Sequence, residues 1–536
     1  MFIATRPRGA SFSSGGRSVP GAGGINDGID PLVRHVGYPY VNAAPHLGHA
    51  LEFVQADTLA RWRRSRGDEV RSLWGTDDHA GKNVQAARAV GEDTATFVDR
   101  HAAGFESLRG PLQLGFDDFI RTSRDPRHRP AVERLWRACD ASGDLYRGRY
   151  EGLYCGGCER FYEPDELPGG RCREHGDAPQ EVVEDNWYFR LSRYARSVAE
   201  LIRDGVLRVD PARRRNEILA FLDGEVRDVS VSRPAVRSEG WGIPVPGDSQ
   251  QVIYVWFDAL TNYISALGYG TEGSDYRGWW QDADRRVHVI GKGILRFHAA
   301  YWPAFLLSAG EPIPTDVLVH EYVTVHGSKI SKSSRAGVAP AALIDEYGTD
   351  ALRWWLLRDV NAAGDTDFRV QRLIERHDQD LANTLGNLVS RLQGLLDRCG
   401  QLLDIQTGQT ASDGPAALLA EALPAIDAAI ERLDFRAATS RLTAVVAAAN
   451  SYTDTHRPWE LIGADADEDL AAHVLAELVR FCLDLSQHLG PFLPEAADNI
   501  RRRLGSPLRS SREPLFPKLS PGTWATTSRE RPAAGG

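Results

Sequence analysis

The chain has 536 residues, of which 42% are hydrophobic and 25% charged, and its net charge at pH 7 is −10. This length exceeds what one hydrophobic core supports, so we expect about three domains. The acidic balance argues against a protein that coats nucleic acid through general basicity, although a local basic patch would still bind RNA. No apolar run is long enough to span a membrane and no secretory signal is present, which predicts a cytoplasmic protein without a membrane partner.

The first segment, residues 1–31, is rich in Gly, Ser and Arg. Such a composition buries little apolar surface, so we predict a disordered N-terminal tail. Acidic residues are scarce in this segment, which leaves an organelle transit peptide as the alternative.

Residues 32–145 alternate between strand-like and helical patterns. VRHVGYPY and VRSLWGTDDH are strand-like, whereas GHALEFVQADTLARWRRSRG between them has helical periodicity. This order predicts an α/β fold, the first half of a Rossmann-type parallel-sheet domain with a site at the carboxyl edge of the sheet. Residues 146–245 interrupt the pattern with short strands, turns and a cysteine cluster, and predict an inserted connective domain. Strand and helix alternate again over 246–325, which predicts the second half of the Rossmann-type domain.

The remainder of the chain divides into three segments. Residues 326–375 contain the polar loop GSKISKSS and lead into a helical region. From 376 to 515 apolar residues recur at three- and four-residue spacing without a strand signal, which predicts an antiparallel all-α bundle. We expect residues 516–536, rich in Ser, Pro and Arg, to form a flexible tail.

The stretch PHLGHA contains His46, Gly48 and His49 at a predicted junction of strand and helix. A helix N-terminus attracts phosphate through its free N–H groups and its positive potential. The imidazoles add hydrogen-bond donors, and Gly48 removes a side chain where a nucleotide would approach. Taken alone, the pair is equally well explained as capping or core histidines.

The stretch KISKS contains Lys329 and Lys332, two of only five lysines in the chain. Lysine is a compact ammonium group that meets phosphate as a point charge, which the planar guanidinium of arginine does not reproduce. On a mobile loop, these two side chains would close over the pyrophosphate that leaves when a carboxylate attacks ATP bound with Mg²⁺. Together with the histidine motif, they predict an ATP-binding and catalytic site.

The stretches CGGC and CREH place Cys155, Cys158, Cys172 and His175 in a C-x2-C-x13-C-x2-H pattern within residues 151–185. Four such ligands enclose one tetrahedral Zn²⁺ without an open position, which predicts a structural rather than a catalytic metal site. The alternative is a knuckle that has lost its metal and retains free thiols.

These stretches resemble class I aminoacyl-tRNA synthetases, and specifically the methionyl-tRNA synthetases, from about residue 33 to about residue 515. PYVNAAPHLGHALEFVQADTLARWRRSRGDEV is similar to the family's HIGH-motif region, WGTDDHAGK to its GTDEHG stretch, and KISKS to its KMSKS loop. YVWFDALTNYI, VIGKGILRFHAAYWPAFL and DLANTLGNLVSR also match in order. The resemblance implies activation of L-methionine with ATP and its transfer to tRNA(Met), a single zinc knuckle, and a stem-contact region after the lysine loop.

The resemblance also implies an amino-acid site. Asp77 aligns with the carboxylate that receives the substrate ammonium, and Arg233 with the arginine near the substrate carboxylate. An aromatic-walled slot suits an unbranched, polarizable thioether, although each ring alone would also fit an ordinary core. The residues that align with the methionine pocket are Tyr38, Tyr40, Trp256, Ala259, Tyr263, Ile294, Phe297, His298 and Trp302.

In the helical region, Asn387 and Arg391 are four residues apart and therefore share one helix face. Trp459 follows Pro458 in HRPWEL. The resemblance implies that these residues read a CAU anticodon, and the chemistry agrees, because single-stranded bases are stacked on aromatic rings and read at their edges by polar groups. A capped helix and a packing tryptophan remain the alternative for each residue alone.

Three positions depart from the family pattern: Gly293 replaces an aspartate, Ala80 replaces a glycine, and Tyr38 stands where an aliphatic residue or Trp is common. Gly293 and Tyr38 favour a second hypothesis, a biosynthetic enzyme that adenylates an amino acid and transfers it to a small hydroxylated acceptor. Asn387, Arg391 and Trp459 argue against it. A third hypothesis, a non-catalytic RNA-binding paralogue, conflicts with the retained histidines and lysines. Because no dimerisation domain follows the bundle, we expect a monomer.

Overall fold

A computed structural model describes residues 2–6, 34–35, 39–155, 160–162, 167–172, 178–271, 274–325, 328–329, 339–399, 414–462, 467–505 and 513–521. The chain divides into two compact units. The first unit comprises Met1–Pro45, Arg66–Ser107 and Gly115–His320, and the second comprises His46–Ser65, Leu108–Leu114 and Glu321–Gly536.

The strands of the first unit are β1 (Phe2–Arg6), β2 (Arg34–His35), β3 (Glu69–Thr76), β4 (Asp118–Arg121), β5 (Leu145–Cys155), β6 (Arg160–Tyr162), β7 (Gln180–Phe189), β8 (Arg208–Asp210), β9 (Val229–Ser230), β10 (Ser232–Pro234), β11 (Pro244–Val245), β12 (Asp248–Ile253), β13 (Arg286–Gly291) and β14 (Asp316–His320). Seven of these described strands form one sheet in the order β4-β3-β1-β13-β14-β8, with β2 paired to β1. β3 and β4 pair in parallel, as do β13 with β14 and β14 with β8. The predicted α/β fold class is therefore confirmed.

Strand β1 corrects the prediction that residues 1–31 are a disordered tail. Phe2–Arg6 lies between β3 and β13 and pairs antiparallel with both. The segment contains Phe2, Ile3 and Thr5, residue types that favour strands. This short run was not predicted as a strand because the segment as a whole is rich in glycine. Because β1 is antiparallel to its neighbours, the sheet is mixed rather than wholly parallel.

Helix α1 (Leu47–Ser65) belongs to the second unit. The helices of the first unit are α2 (Gly81–Ala89), α3 (Thr94–Glu106), α4 (His128–Ala141), α5 (Leu191–Arg203), α6 (Ala212–Leu222), α7 (Val255–Ser265), α8 (Ser274–Tyr276) and α9 (Trp302–Ala309). Short 3₁₀ and π segments at Lys292–Ile294 and Phe297–Tyr301 connect β13 to α9.

Part of the inserted region 146–245 packs with the main sheet of the first unit. Its strand β8 extends the main sheet at the β14 edge. Its helices α5 and α6 bury Val198 and Ile218 in the same hydrophobic core as Ile290 and Val317 of the main sheet. Its other strands belong to two small antiparallel sheets, β6-β5-β7-β9 and β10-β12-β11, and the second of these includes β12 from the following segment. The sequence pattern missed β8 because a three-residue strand carries little periodicity.

Helix α7 is buried along its whole length, since every residue from Val255 to Ser265 is buried. A helix that is surrounded on all sides lies inside the core of its unit. Its polar residues Asp258 and Asn262 are therefore removed from water. Burying such groups costs free energy unless they find hydrogen-bond partners inside the protein, so the polar residues of α7 require partners from the surrounding elements.

The second unit contains strands β15 (Val323–Val325), β16 (Ser328–Lys329) and β17 (Thr366–Phe368), which form a small sheet with β15 at its centre. Its further helices are α10 (Pro340–Tyr347), α11 (Thr349–Arg358), α12 (Val370–Arg376), α13 (Asn387–Cys399), α14 (Pro415–Glu431), α15 (Phe435–His456), α16 (Glu468–Leu489) and α17 (Pro494–Leu504). A π-helical segment, His377–Gly386, joins α12 to α13. The predicted all-α C-terminal region is confirmed. No helix in the described part of the chain is long and apolar enough to cross a membrane.

The predicted flexible tail 516–536 is wrong for its first residues. Phe516 is buried, and its ring lies against Gly386 and His377. The main-chain N–H of Leu519 donates to the Asp378 carboxylate at 3.0 Å. These contacts pack residues 513–521 against the π-helical segment, and residues 522–536 lie outside the described part of the chain.

A buried arginine fixes α1 within the second unit. Arg353 of α11 is fully buried and donates to the Asp57 carboxylate of α1 at 2.8 Å. It also donates to the carbonyl oxygens of Leu112 and Phe492, both at 2.8 Å. A buried cation with this many acceptors holds its partners in one arrangement, because loss of the carboxylate would leave its charge uncompensated and loss of a carbonyl would leave a buried donor unsatisfied.

Candidate active site

His46 directly precedes α1, and His49 lies in the first turn of this helix. Their rings are stacked, with centroids 3.7 Å apart and planes inclined by 21°. The main-chain N–H of Gly48 donates to His46 Nδ1 and that of His46 donates to His49 Nδ1, both at 3.1 Å. Because each Nδ1 accepts a hydrogen bond, each neutral ring carries its hydrogen on Nε2.

This geometry makes both histidines N–H donors at a helix N-terminus, where the positive end of the helix dipole also lies. Such an arrangement suits a phosphate group. Gly48 is needed for it, because a Cβ at this position would lie 3.0 Å from His46 Cε1 and 3.1 Å from His46 Nδ1. Any larger residue would therefore displace the His46 ring.

The lysine loop begins in the small sheet of the second unit. Lys329 pairs with Thr324 across the antiparallel strands β15 and β16. The parallel partner of β15 is β17, so the start of the loop is anchored to a folded element. Lys332 lies outside the described residues, and the roles of both lysines stay predictions.

In the first unit, the predicted pocket residues form a continuous aromatic cluster. The rings of Trp256 and Phe297 are stacked, with centroids 3.7 Å apart and an interplanar angle of 9°. Tyr40 meets Trp256 edge-on at 5.9 Å, and Lys82 Nζ lies 4.7 Å from the centre of the Tyr40 ring. The backbone of Tyr40 also bridges to that of Asp77. Tyr38 lies outside the described residues.

His298 orders the other end of this cluster. Its Nδ1–H donates to the carbonyl of Ile294 at 3.0 Å, and its Nε2 therefore accepts from the hydroxyl of Tyr263 at 2.8 Å. Burial lowers the pKa of His298 to about 3, so the ring is neutral at physiological pH. Trp302 is fully buried 6.2 Å from the Tyr263 ring, and Ala259 is buried on the same helix as Tyr263.

Asp77 lies at the end of β3, on a loop held by many hydrogen bonds. Its main-chain N–H donates to the carbonyl of Pro39 at 3.0 Å, and its own carbonyl accepts from the amide of Asn83 at 3.2 Å. The neighbouring carboxylate of Asp78 accepts from the Ser123 hydroxyl at 2.6 Å. The loop is thus rigidly placed beside Tyr40, as the binding of a substrate ammonium by a carboxylate requires.

Arg233 is confined between aromatic rings. Its guanidinium carbon lies 4.1 Å from the centre of the Tyr254 ring and 5.3 Å from that of Tyr154. Its Nη1 donates to the Ser230 hydroxyl at 3.1 Å and to the Ser232 carbonyl at 2.9 Å. Because Tyr254 directly precedes α7, Arg233 lies close to the start of the helix that carries Trp256.

A group of polar residues next to the aromatic cluster was not predicted from the sequence. The buried carboxylate of Asp258 accepts from His79 Nδ1 at 2.6 Å and from His128 Nε2 at 2.5 Å. One signal was available: an aspartate inside the otherwise apolar run YVWFDAL demands a partner if the run is buried. The two histidines are 179 and 130 residues away, so sequence alone could not identify them.

The predicted zinc ligands are only partly described. Cys155 is the last residue of β5 and Cys172 follows a short 3₁₀ turn, and both are buried. Cys158 and His175 lie outside the described residues. Within the described ranges no group of three or more His, Cys, Asp or Glu residues could hold a metal ion. Two buried thiols in the inserted region are chemically suited to Zn²⁺, but they are half of the predicted ligand set.

The predicted anticodon residues lie in the helical region of the second unit. Arg391 of α13 stacks over the half-buried ring of Trp459, with 5.1 Å between the guanidinium carbon and the ring centroid. It also pairs with Asp454 at 2.8 Å. Asn387, one turn earlier on α13, is exposed. An exposed amide, a guanidinium and an aromatic ring form a surface that suits unstacked bases.

Comparison with known proteins identifies the family. The model of class I tRNA synthetases (M) matches residues 33–177 and 155–393, and the model of the anticodon binding domain of methionyl tRNA ligase matches residues 407–520. The chain belongs to the class I methionyl-tRNA synthetase family. The resemblance inferred from the motifs is thereby confirmed.

Relatives of this synthetase family extend over nearly the whole chain. The methionine–tRNA ligase of Brucella melitensis is 37% identical over 494 residues, which cover 90% of this chain and 94% of the relative. That of Thermotoga maritima is 36% identical over 496 residues, or 90% and 77% of the two chains. A crystal structure of the Mycobacterium tuberculosis methionyl-tRNA synthetase bound by methionyl-adenylate superposes with a TM-score of 0.82 at 33% identity. It covers 90% of this chain and 100% of that one.

Two departures from the synthetase motifs can be located. Ala80 caps α2 with φ −63° and ψ 135°, an extended conformation that any residue adopts, so alanine is tolerated there without strain. Gly293 is exposed in the 3₁₀ turn Lys292–Ile294, directly before the pocket residue Ile294. Of these two substitutions, only Gly293 removes a polar side chain close to the predicted site.

Proposed function

We propose that this protein is a methionine–tRNA ligase that activates L-methionine with ATP and transfers it to the 3′ end of tRNA(Met). The observation that carries the proposal is that one chain matches both the synthetase model and the methionyl anticodon-binding model. The relatives of similar length bear the name of this activity, which further supports it.

In the first step, a carboxylate oxygen of methionine attacks the α-phosphorus of ATP. The bond to the β-phosphate breaks, pyrophosphate leaves, and methionyl adenylate forms. His46 and His49 donate through Nε2 to phosphate oxygens, and Lys329 and Lys332 neutralise the charge that develops on the leaving pyrophosphate. Mg²⁺ enters with ATP as part of the substrate.

In the second step, a ribose hydroxyl of the terminal tRNA adenosine attacks the acyl carbon of the adenylate. AMP leaves and an ester forms, so no covalent bond to a side chain is needed. Orientation of the two substrates supplies most of the acceleration, since oriented reactants avoid the entropy cost of encounter. A rigid Asp77 loop and an aromatic slot are appropriate for that purpose.

Methionine is selected by the cluster of Trp256, Phe297, Tyr263 and His298. The flat walls of the slot suit a flexible, polarizable thioether and give less contact to smaller side chains. The ammonium group binds Asp77, and Arg233 lies near the carboxylate. The neutral state of His298 supports this role, because an apolar substrate side chain would be disfavoured beside a buried charge.

The tRNA is recognised at its CAU anticodon by Asn387, Arg391 and Trp459. One structural Zn²⁺ would be held by Cys155, Cys158, Cys172 and His175, and would stabilise the inserted region without taking part in the reaction. A cytoplasmic location and a monomeric state remain predictions of the same proposal.

The second candidate, a biosynthetic ligase with a small hydroxylated acceptor, is favoured by two residues, Tyr38 and the exposed Gly293. Against it, Arg391 stacks on Trp459 at a surface for which a small-molecule ligase has no use. We therefore favour the tRNA ligase.

The amino acid is tested by ATP–pyrophosphate exchange with each of the twenty amino acids. The proposal predicts the highest kcat/KM with methionine. A higher value with another amino acid would contradict it.

A further inference from the structure

Asp258 is a completely buried carboxylate in the first turn of α7. Each of its oxygens faces a histidine: Oδ2 lies 2.6 Å from His79 Nδ1, and Oδ1 lies 2.5 Å from His128 Nε2. His128 is fully buried, and the His79 side chain is 10% exposed. A carboxylate in such a site is stable only with a donor at each oxygen.

The three groups form one hydrogen-bonded array. Burial disfavours ionised Asp258, but the two histidines outweigh this effect and hold the pKa of its carboxyl well below its usual range. Burial likewise disfavours charged His79, yet attraction to Asp258, a hydrogen bond to it and the field of Asp78 raise the pKa of that imidazole. The anion is therefore permanent at physiological pH, and it holds both rings by charge-assisted hydrogen bonds.

The array joins three separate elements of the first unit at their first turns. His79 lies two residues before α2, His128 is the first residue of α4, and Asp258 lies in the first turn of α7. The positive ends of helix dipoles at these positions also favour a carboxylate. One side chain thus fixes the relative position of three helices.

These elements carry the two halves of the predicted amino-acid site. Asp77 is two residues before His79, and Trp256 is two residues before Asp258 on the same helix. A displacement of Asp258 from His79 would therefore change the separation between the ammonium-binding loop and the aromatic slot. Catalytic and binding geometries tolerate errors of only about 0.5 Å.

The contacts of this array follow the same order as those of a hydrolytic Ser–His–Asp triad, but its residues are not accessible to a substrate. His128 Nδ1 lies 2.8 Å from the hydroxyl of Ser265, which completes a Ser–His–Asp sequence of contacts. However, Ser265, His128 and Asp258 all have zero exposed area, so no substrate reaches the hydroxyl. The arrangement is suited to holding helices in place and not to nucleophilic attack.

We propose that Asp258, together with His79 and His128, positions the amino-acid site by fixing the position of Asp77 relative to Trp256. The inference rests on the proposed function, because it concerns the site assigned there. Asp258 touches no substrate: it acts through the two residues whose spacing it holds. Loss of the array should therefore weaken binding of the amino acid and leave binding of ATP unchanged.

The test compares Asp258→Asn with Asp144→Asn. Asp144 is equally buried and accepts from Arg193, Tyr194 and Ser308, but none of these belongs to the predicted site. Thermal unfolding of both variants measures how much stability each substitution costs, so that the kinetic constants are compared at a known loss of stability. In ATP–pyrophosphate exchange, Asp258→Asn should raise KM for methionine by about 10- to 100-fold, the usual effect of losing a supporting partner. KM for ATP should change less than about twofold, and Asp144→Asn should alter neither constant by more than that.

A second pair of variants covers the case in which Asp258→Asn does not fold. His79→Ala removes the donor to Asp258, whereas His79→Gln keeps an N–H group. The alanine variant should raise KM for methionine, and the glutamine variant should recover most of the loss.

Two results would overturn the inference: equal constants for Asp258→Asn and Asp144→Asn, or an unchanged KM for methionine in His79→Ala. If the wild-type enzyme prefers another amino acid, the proposed function fails instead, and the same variants are then compared with that amino acid.

Discussion

The rings of His46 and His49 lie face to face, 3.7 Å apart, and each accepts a main-chain N–H on Nδ1. A ring nitrogen that accepts a hydrogen bond carries no hydrogen of its own, so this geometry describes two neutral rings. The backbone of the first turn of α1 therefore determines which nitrogen of each ring donates. The prediction that this motif binds phosphate gains a defined donor atom, Nε2, on each ring.

Two substitutions of His49 distinguish the roles of the two nitrogens of its ring. Asparagine places an acceptor near the position of Nδ1, whereas glutamine places an N–H near that of Nε2. Because Nε2 is the proposed donor to phosphate, His49→Gln should keep more activity than His49→Asn. We expect kcat for exchange to fall by about 10²- to 10³-fold in the asparagine variant, as for loss of one transition-state donor. Equal losses in the two variants would contradict the assignment of Nε2.

Replacing Gly48 tests the space around the His46 ring. Gly48→Ala introduces a Cβ at 3.0 Å from His46 Cε1, so the ring must move. We expect kcat for exchange to fall while the thermal midpoint changes little. The control is Gly394→Ala in helix α13, where the new Cβ would have no atom within 4 Å apart from its chain neighbours and the backbone of its own helix. That substitution should leave kcat intact and stabilise the protein by about 0.5–1 kcal/mol.

The buried His298 should make stability depend on pH in the acidic range. Its folded pKa of about 3 lies below the unfolded value near 6.5, so the unfolded chain binds the additional proton between these values. The contribution of the neutral ring to the free energy of unfolding is therefore present above about pH 6.5. It decreases by about 1.4 kcal/mol per pH unit as the pH falls from there towards the folded pKa. Chemical unfolding of wild type and His298→Gln at pH 7 and pH 5 measures the difference. The free energy of unfolding of wild type relative to His298→Gln should decrease from pH 7 to pH 5, and a difference that stays constant would refute the buried neutral ring.

The anticodon surface should affect charging without affecting adenylation. Trp459→Ala removes a ring on which a base would stack, worth about 1–3 kcal/mol per base. We expect kcat/KM for tRNA charging to fall by the factor that corresponds to this free energy, and the rate of ATP–pyrophosphate exchange to be unchanged. Trp279→Ala, a half-buried tryptophan of the first unit, serves as control and should leave the ratio of charging to exchange as it was. Loss of both activities in Trp459→Ala would indicate a packing role.

The exposed Gly293 should limit the activation step. Gly293→Asp restores the carboxylate that the family motif carries next to Lys292, and the exposed 3₁₀ turn accepts an aspartate side chain. We expect kcat for methionine-dependent exchange to rise by several-fold, since outer carboxylates commonly tune such sites. An unchanged or lower rate would mean that the site is already complete without this group.

Much of the molecule could be predicted from local patterns. The helix of the histidine motif, the strand before Asp77 and the helical C-terminal region all follow from periodicity and turn residues. The aromatic set around Trp256 and Phe297 could be assembled because motif alignment supplied the register that periodicity lacks.

The parts that could not be predicted depend on long-range pairing. Phe2–Arg6 is a central strand because it pairs with β3 on one side and with β13 on the other. β8 likewise leaves the inserted region to join β14. The proposed role of Asp258 depends on its contacts with His79 and His128, and no local sequence pattern connects these residues to it. Each case requires knowledge of which distant segments meet.

The central claim is that this chain couples methionine activation to tRNA charging. The most direct measurement is aminoacylation of a tRNA(Met) transcript with a CAU anticodon by the purified protein, beside the same transcript with an altered anticodon. The account predicts a methionyl ester on the CAU transcript and strongly reduced charging of the altered one. Methionine-dependent exchange without charging of either transcript would contradict it and would favour transfer to a small acceptor.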